Sequence, residues 1–294
     1  MLNITERCKS AFIGHAIASN YDPAISLAIN VSESLLEHKE FNGRDILSRY
    51  LFSYHTKAFV IGETTRYIYN AALNTIQATR KNSPITRQDF LLDQTYITEL
   101  VKTIDKEMNG LTAGCSPAQR SFPLALCVRI DDDDLFELSK QEATLTHFNP
   151  QAGQVAAVVN AICRSLLRNK TWSDSIRSSF TSPGISGDII SVSQRYMRSP
   201  DPYTPTHAAY APTVLNAALY FVHQSTNARD AIEKARTKGN CYCAPIVGFI
   251  SGIRWGIPVE MYANKVNDLQ IIKMCEMADK LSNAWPVQNQ DVFN

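Results

Sequence analysis

The side chains able to do chemistry are few and scattered. Cys241 and Cys243 flank Tyr242 as a Cys-x-Cys pair. Paired thiolates suit soft metals such as zinc or copper(I), and a helix N-terminus that lowers a thiolate pKa supports redox chemistry. Free cysteines also rank among the most buried residue types and mostly pack. Inert packing is therefore the favoured reading of the pair, with the two chemical readings beside it. His147 follows Thr146 and stands just ahead of a helix that should begin after Pro150. An imidazole there either fixes the turn by hydrogen bonds or faces a cleft; His15 reads as structural. Asp22 before Pro23 is a helix-start pair, an N-cap oxygen followed by proline at the first helical position. Asp131 to Asp134 form an acidic run. It lacks the alternation and central glycine of a calcium loop, so it should sit solvated at a helix N-terminus and favour it electrostatically.

Other templates are missing. The chain contains no Gly-x-Ser-x-Gly, no phosphate-binding glycine loop ending in Gly-Lys-Ser/Thr and no His-Glu-x-x-His. With 29 basic and 28 acidic residues the net charge is +1, which suggests no nucleic-acid or anionic-membrane partner. Seven cysteines, an odd number without a disulfide framework, point to a reducing intracellular compartment such as the cytoplasm. The first residues carry no signal-peptide core, and no stretch approaches a membrane span.

The elements that must position these side chains read as helices almost throughout. Residues 24–38 place Ile25, Ala28, Ile29, Ser32, Leu35 and Leu36 on one face. Residues 152–168, 211–223 and 244–255 are apolar and rich in small residues, as buried helices in close contact should be. Residues 86–108 and 266–282 have the spacing of amphipathic outer helices. Breaks fall at Asn42-Gly43, at Asn82 to Pro84, from Gly110 to Pro117, at Pro183-Gly184 and from Ser199 to Pro205. None is long enough for an interdomain linker. No run of alternating strands and no fixed repeat occurs. The expectation is an all-α fold, a single compact multi-helix domain over 1–294.

Several segments in order carry a family resemblance. They are Tyr21 to Tyr54, Ile61 to Thr65, Gly114 to Leu124, Thr146 to Ala152, Tyr210 to Phe221 and Gly239 to Pro258. Gly114-Cys115 through Arg120 to Pro123 resembles a glycine-rich loop leading into an Arg-x-x-Pro segment. Thr146-His147 resembles a turn before a long inner helix. Gly239 to Pro258 resembles a Gly-Gly-Asp-x-Asp-Thr signature followed by a glycine-spaced helix. Together they resemble the ADP-ribosylglycohydrolase superfamily, and the resemblance implies its all-helical fold.

That family holds two magnesium ions between carboxylates from both ends of the chain, and uses them to cleave an N- or O-glycosidic bond of ADP-ribose. Magnesium requires oxygen ligands. Aligned on Gly248 and Gly252, this chain has Gly239 and Cys241 in place of two aspartates, and Tyr242 in place of the threonine. A one-residue shift offers Asn240, Tyr242 and Cys243 instead. The family's Thr-Asp-Asp-Thr corresponds to Asn20-Tyr21-Asp22-Pro23, and its Gly-Asp-Ala to Gly14-His15-Ala16. Asp22 alone survives, as a vestigial ligand. No magnesium and no other cofactor is expected. The cleft candidates that the resemblance implies are Tyr21, Asp22, Gly114, Cys115, Arg120, His147, Cys241, Tyr242 and Cys243. Two functional readings follow. One is a non-catalytic protein, structural like the lens crystallins of the superfamily or binding an ADP-ribose-like ligand. The other is an active ADP-ribosyl hydrolase with a remodelled site.

Overall fold

The computed structural model describes residues 2–20, 23–57, 59, 61–80, 84–197, 209–265 and 267–283. Its helices are α1 (Ile4–Ala18), α2 (Pro23–His38), α3 (Gly43–Lys57), α4 (Glu63–Arg80), α5 (Gln94–Glu107), α6 (Ser116–Arg120), α7 (Pro123–Leu126) and α8 (Asp132–Ala143), followed by α9 (Pro150–Leu167), α10 (Trp172–Ser179), α11 (Gly187–Arg195), α12 (Ala211–His223), α13 (Ala228–Lys238), α14 (Ala244–Trp255) and α15 (Leu269–Ser282). Among the described residues there is no strand, only an isolated antiparallel bridge between Gly114 and Tyr210. None of these helices is long and apolar enough to cross a membrane. The all-helical expectation holds.

The helix starts follow local chemistry. Asn3 caps α1 and is reciprocated by Glu6 in a capping box. Asn149 caps α9, with Pro150 in its first turn. The expected continuous helix over 86–108 is instead two pieces. Thr86 and Asp89 form a capping box on a short 3-10 turn, Arg87–Phe90. Asp93 then accepts from the amides of Thr95 and Tyr96 and starts α5 afresh. Two capping signals seven residues apart override the apolar spacing that runs through both. Similarly, α15 begins at Leu269 rather than 266, because Asp268 accepts from the Gln270 amide.

One apolar core runs through the described residues, and α9, α12 and α14 lie deepest in it. Val155, Ala156, Val158 and Val159 on α9, Val214 and Leu215 on α12, and Ile246, Val247, Phe249 and Ile250 on α14 are fully buried. Against α14 runs α1, antiparallel and close enough that small residues are obligatory. A Cβ on Gly14 would strike the Gly248 carbonyl oxygen, and one on Gly252 the Ser10 carbonyl oxygen. A Cβ on Gly248 would also meet that of Ala18. The C-terminal end of α1 therefore lies beside the first turns of α14.

The acidic run begins α8. Asp131 takes the N-cap position without a side-chain cap bond, and Asp132, Asp133 and Asp134 fill the first turn. All four stay exposed, as expected. Asp132 does more, pairing with Arg164 at 2.5 Å and Arg168 at 3.3 Å. Arg164 is 4% exposed. Its guanidinium also donates to the carbonyls of Leu124, Ala125, Cys127 and Ile130, which closes the C-terminal end of α7.

Candidate functional site

Three helix termini meet where α1 ends and α14 begins. Gln119 on α6 ties them together. Its carbonyl oxygen is 2.9 Å from His15 Nε2 on α1, and its side-chain amide donates to the Tyr242 carbonyl at 2.8 Å. His15 is fully buried against the rings of Phe122 and Phe249, which stack on each other. Burial lowers its pKa to about 4, so it stays neutral, as the structural reading required.

The turn from Gly239 to Cys243 enters α14. Asn240 organises it, accepting at its side-chain oxygen from the backbone N–H groups of Tyr242 (3.0 Å) and Cys243 (2.9 Å). Its side-chain oxygen is thus already engaged by two donors. Cys243 is fully buried, and its thiol pKa rises to about 11 through that burial. A Cβ on Gly239 would come within 2.8 Å of both Cys243 Sγ and the Phe221 ring. Cys241 is exposed. The two thiols of the Cys-x-Cys pair thus face different surroundings, one packed and one in solvent. Tyr21 and Asp22 fall outside the described residues, and with them the N-cap and vestigial-ligand readings of Asp22.

A second cluster joins Gly114, Cys115, Arg120 and His147. Gly114 lies in the loop bridged to Tyr210, where the Cys115 amide donates to the Ala209 carbonyl at 3.0 Å. The Nε2 edge of His147 covers this glycine: a Cβ at 114 would approach Nε2 to 2.9 Å. The ring's other nitrogen, Nδ1, lies 2.8 Å from Thr146 Oγ1. Thr146 Oγ1 in turn accepts from Arg120 Nη2 at 2.8 Å. Arg120 is fully buried, and its Nε donates to the equally buried Glu142 at 2.7 Å. Tyr50 donates to the same carboxylate oxygen at 2.6 Å, and its ring lies 5.0 Å from the Arg120 guanidinium carbon. Burial and the Arg120 charge lower the His147 pKa to about 3. Arg120 therefore supports the cluster from below instead of lining open space.

The outer edge of this cluster is apolar and amide-rich. Phe148 is 42% exposed and Leu111 77%. Asn149 holds the two segments together, donating its side-chain amide to the Gly110 carbonyl and its backbone N–H to Thr112 Oγ1. Nearby, Tyr210 donates to Gln151, which donates to Asp188. Sequence reasoning passed over Gln119, Glu142 and Gln151. The only signal for Gln119 was its place beside Arg120 in an otherwise small and apolar segment.

As a ligand set for hard cations, the 239–243 turn is poor. It carries no carboxylate, its side-chain amide oxygen is engaged, and a thiol fills its interior. Glu37, His38 and Asp45 form the one grouping among the described residues with metal-ligand spacing. It lies on α2 and α3, where Arg49 and Arg87 already pair with Asp45 and Glu37.

The sequence model of the ADP-ribosylglycohydrolase family matches residues 8–291. Among solved structures, an "ADP-ribosylglycohydrolase-related protein complex" superposes with a TM-score of 0.68 at 18% identity, over 96% of this chain and 99% of that one. At that identity the likeness concerns the fold alone. No functionally curated protein matches the chain.

Proposed function

Because the chain belongs to the ADP-ribosylglycohydrolase family, we propose that it is a non-catalytic member which binds an ADP-ribose-like ligand without magnesium-dependent cleavage. One observation carries the reading: the turn into α14 offers a capping amide, a buried thiol and an exposed thiol where the resemblance calls for carboxylates. Thiols and phenols are poor ligands for a hard dication, which dehydrates reluctantly. The ligand half of the proposal rests on the Gly114–His147 cluster, in which the bare backbone of one glycine lies beneath an imidazole edge. That cluster does not depend on the missing carboxylates.

Calorimetry with ADP-ribose, with and without magnesium, tests both halves. Binding with the same Kd in either condition is the expected result. Tight binding only with magnesium would overturn the loss of the metal site. Absence of binding in both conditions would leave a structural role, as in crystallins of the superfamily. Release of free ADP-ribose from an ADP-ribosylated peptide would instead favour the active, remodelled hydrolase.

A further inference from the structure

We propose that Arg120 and Thr146 act as positioning residues that fix His147 as a neutral imidazole protonated at Nε2, so that it presents one N–H donor over Gly114. The argument is a proton count. A guanidinium only donates, so Thr146 Oγ1 must accept from Arg120 Nη2 at 2.8 Å. The Thr146 hydroxyl proton then needs an acceptor. Among the described residues, the acceptor within reach is His147 Nδ1, also at 2.8 Å. A nitrogen that accepts carries no proton, which leaves the proton on Nε2.

Charge reinforces the tautomer. The ionisable groups behind this ring are Arg120, Glu142, Tyr50 and Tyr69, all fully buried. Glu142 and Arg120 compensate each other, and burial pushes both tyrosines far above their ordinary range. Burial first, and then the Arg120 cation, oppose a second proton on the ring. Glu142 holds Arg120 at Nε, leaving Nη2 to address Thr146.

The chemical consequence is selectivity. A fixed Nε2–H donor recognises an oxygen acceptor, such as a hydroxyl, carbonyl or phosphate oxygen, and offers nothing to a ligand N–H. The imidazole can lie this close to the loop only because residue 114 has no Cβ. The use of this donor on a ligand rests on the reading above; the tautomer does not.

Nitrogen-15 NMR of the uniformly labelled full chain reads the tautomer directly, since protonated and bare imidazole nitrogens resonate in separate ranges. The His147 signals are identified by their loss in His147→Gln. Between pH 5 and 8 the expected spectrum has Nε2 protonated, Nδ1 bare and no titration. Thr146→Ser should reproduce it, and Thr146→Val should add a population protonated at Nδ1. An Nδ1–H tautomer or an imidazolium near pH 6 in the unmodified chain would overturn the proposal without any variant. So would a Thr146→Val spectrum identical to the parent. Failure of ADP-ribose to bind while the Nε2–H signal persists would count against the proposed function and leave this inference standing.

Discussion

At the scale of single residues, the decisive unit is the Arg120–Glu142 pair, a full charge pair with no exposed surface. Both ions are removed from water, which costs several kcal/mol per ion and is offset only by good geometry. Here Glu142 Oε1 receives two donors, Tyr50 and Arg120, while Oε2 finds none among the described residues. Removing one partner strands the other. Glu142→Leu should therefore cost about 3–5 kcal/mol in urea unfolding, and Arg120→Met a comparable amount. The double variant should recover most of that loss, because an apolar pair of similar volume replaces both ions. Additive losses in the double variant would mean the pair is not coupled. Arg120 was legible in the sequence through the family resemblance, but its counter-ion was not. Glu137 and Glu142 both sit on α8 among mixed polar neighbours, yet the first is exposed and the second fully buried. Which face of a short helix turns inward depends on its packing partners, and single-sequence spacing does not name them.

At the scale of elements, close helix contacts were readable and helix junctions were not. The small residues of the glycine-spaced α14 announced a close helix contact, and the structure supplies the partner, α1. Gly252→Ala should destabilise by roughly 3 kcal/mol, the upper part of the usual overpacking range. The atoms in the way belong to the backbone of Ser10 and Ala11, which cannot rotate aside. Arg164 is the complementary case. Nothing in the apolar pattern of α9 marked it as the residue that holds four carbonyls in and just after α7. A lysine retains the charge but has three donors on one nitrogen instead of a planar fork. Arg164→Lys should leave two or more of these buried carbonyls without a donor, at about 1–3 kcal/mol each. A thermal midpoint within a degree of the parent would refute that account. Splitting of the 86–108 segment teaches the same lesson: capping chemistry at Thr86 and Asp93 decided the boundary, and periodicity did not register it.

At the scale of the whole molecule, two buried neutral histidines make stability depend on pH in a window that the carboxylates leave clear. His15 and His147 have pKa values of about 4 and about 3 in the folded chain, below the roughly 6.5 of an unfolded histidine. Between these values the unfolded chain binds protons that the folded chain does not. The slope of stability with pH is proportional to that difference, so stability rises with pH there. It is fully present above about pH 6.5 and is lost as the pH falls toward 4. Asp45 and Asp132 act lower. Despite the opposing effect of burial, their arginine partners hold both below the ordinary carboxylate range. Their stabilisation is thus present above about pH 4 and disappears only on further acidification. Each histidine contributes a limiting slope of about 1.4 kcal/mol per pH unit. Urea unfolding at pH 7, 6 and 5 should therefore show the chain losing roughly 4 kcal/mol across the range from these two groups. His15→Asn should lower stability at pH 7, because it sacrifices the stacking on Phe122 and Phe249. It should also halve the slope below pH 6.5, since one of the two protons no longer counts. An unchanged slope would mean that His15 titrates in the folded chain after all. The Gln119 carbonyl beside its Nε2 would then be accepting from an imidazolium, and the three-way junction of α1, α6 and the turn into α14 would itself be charged.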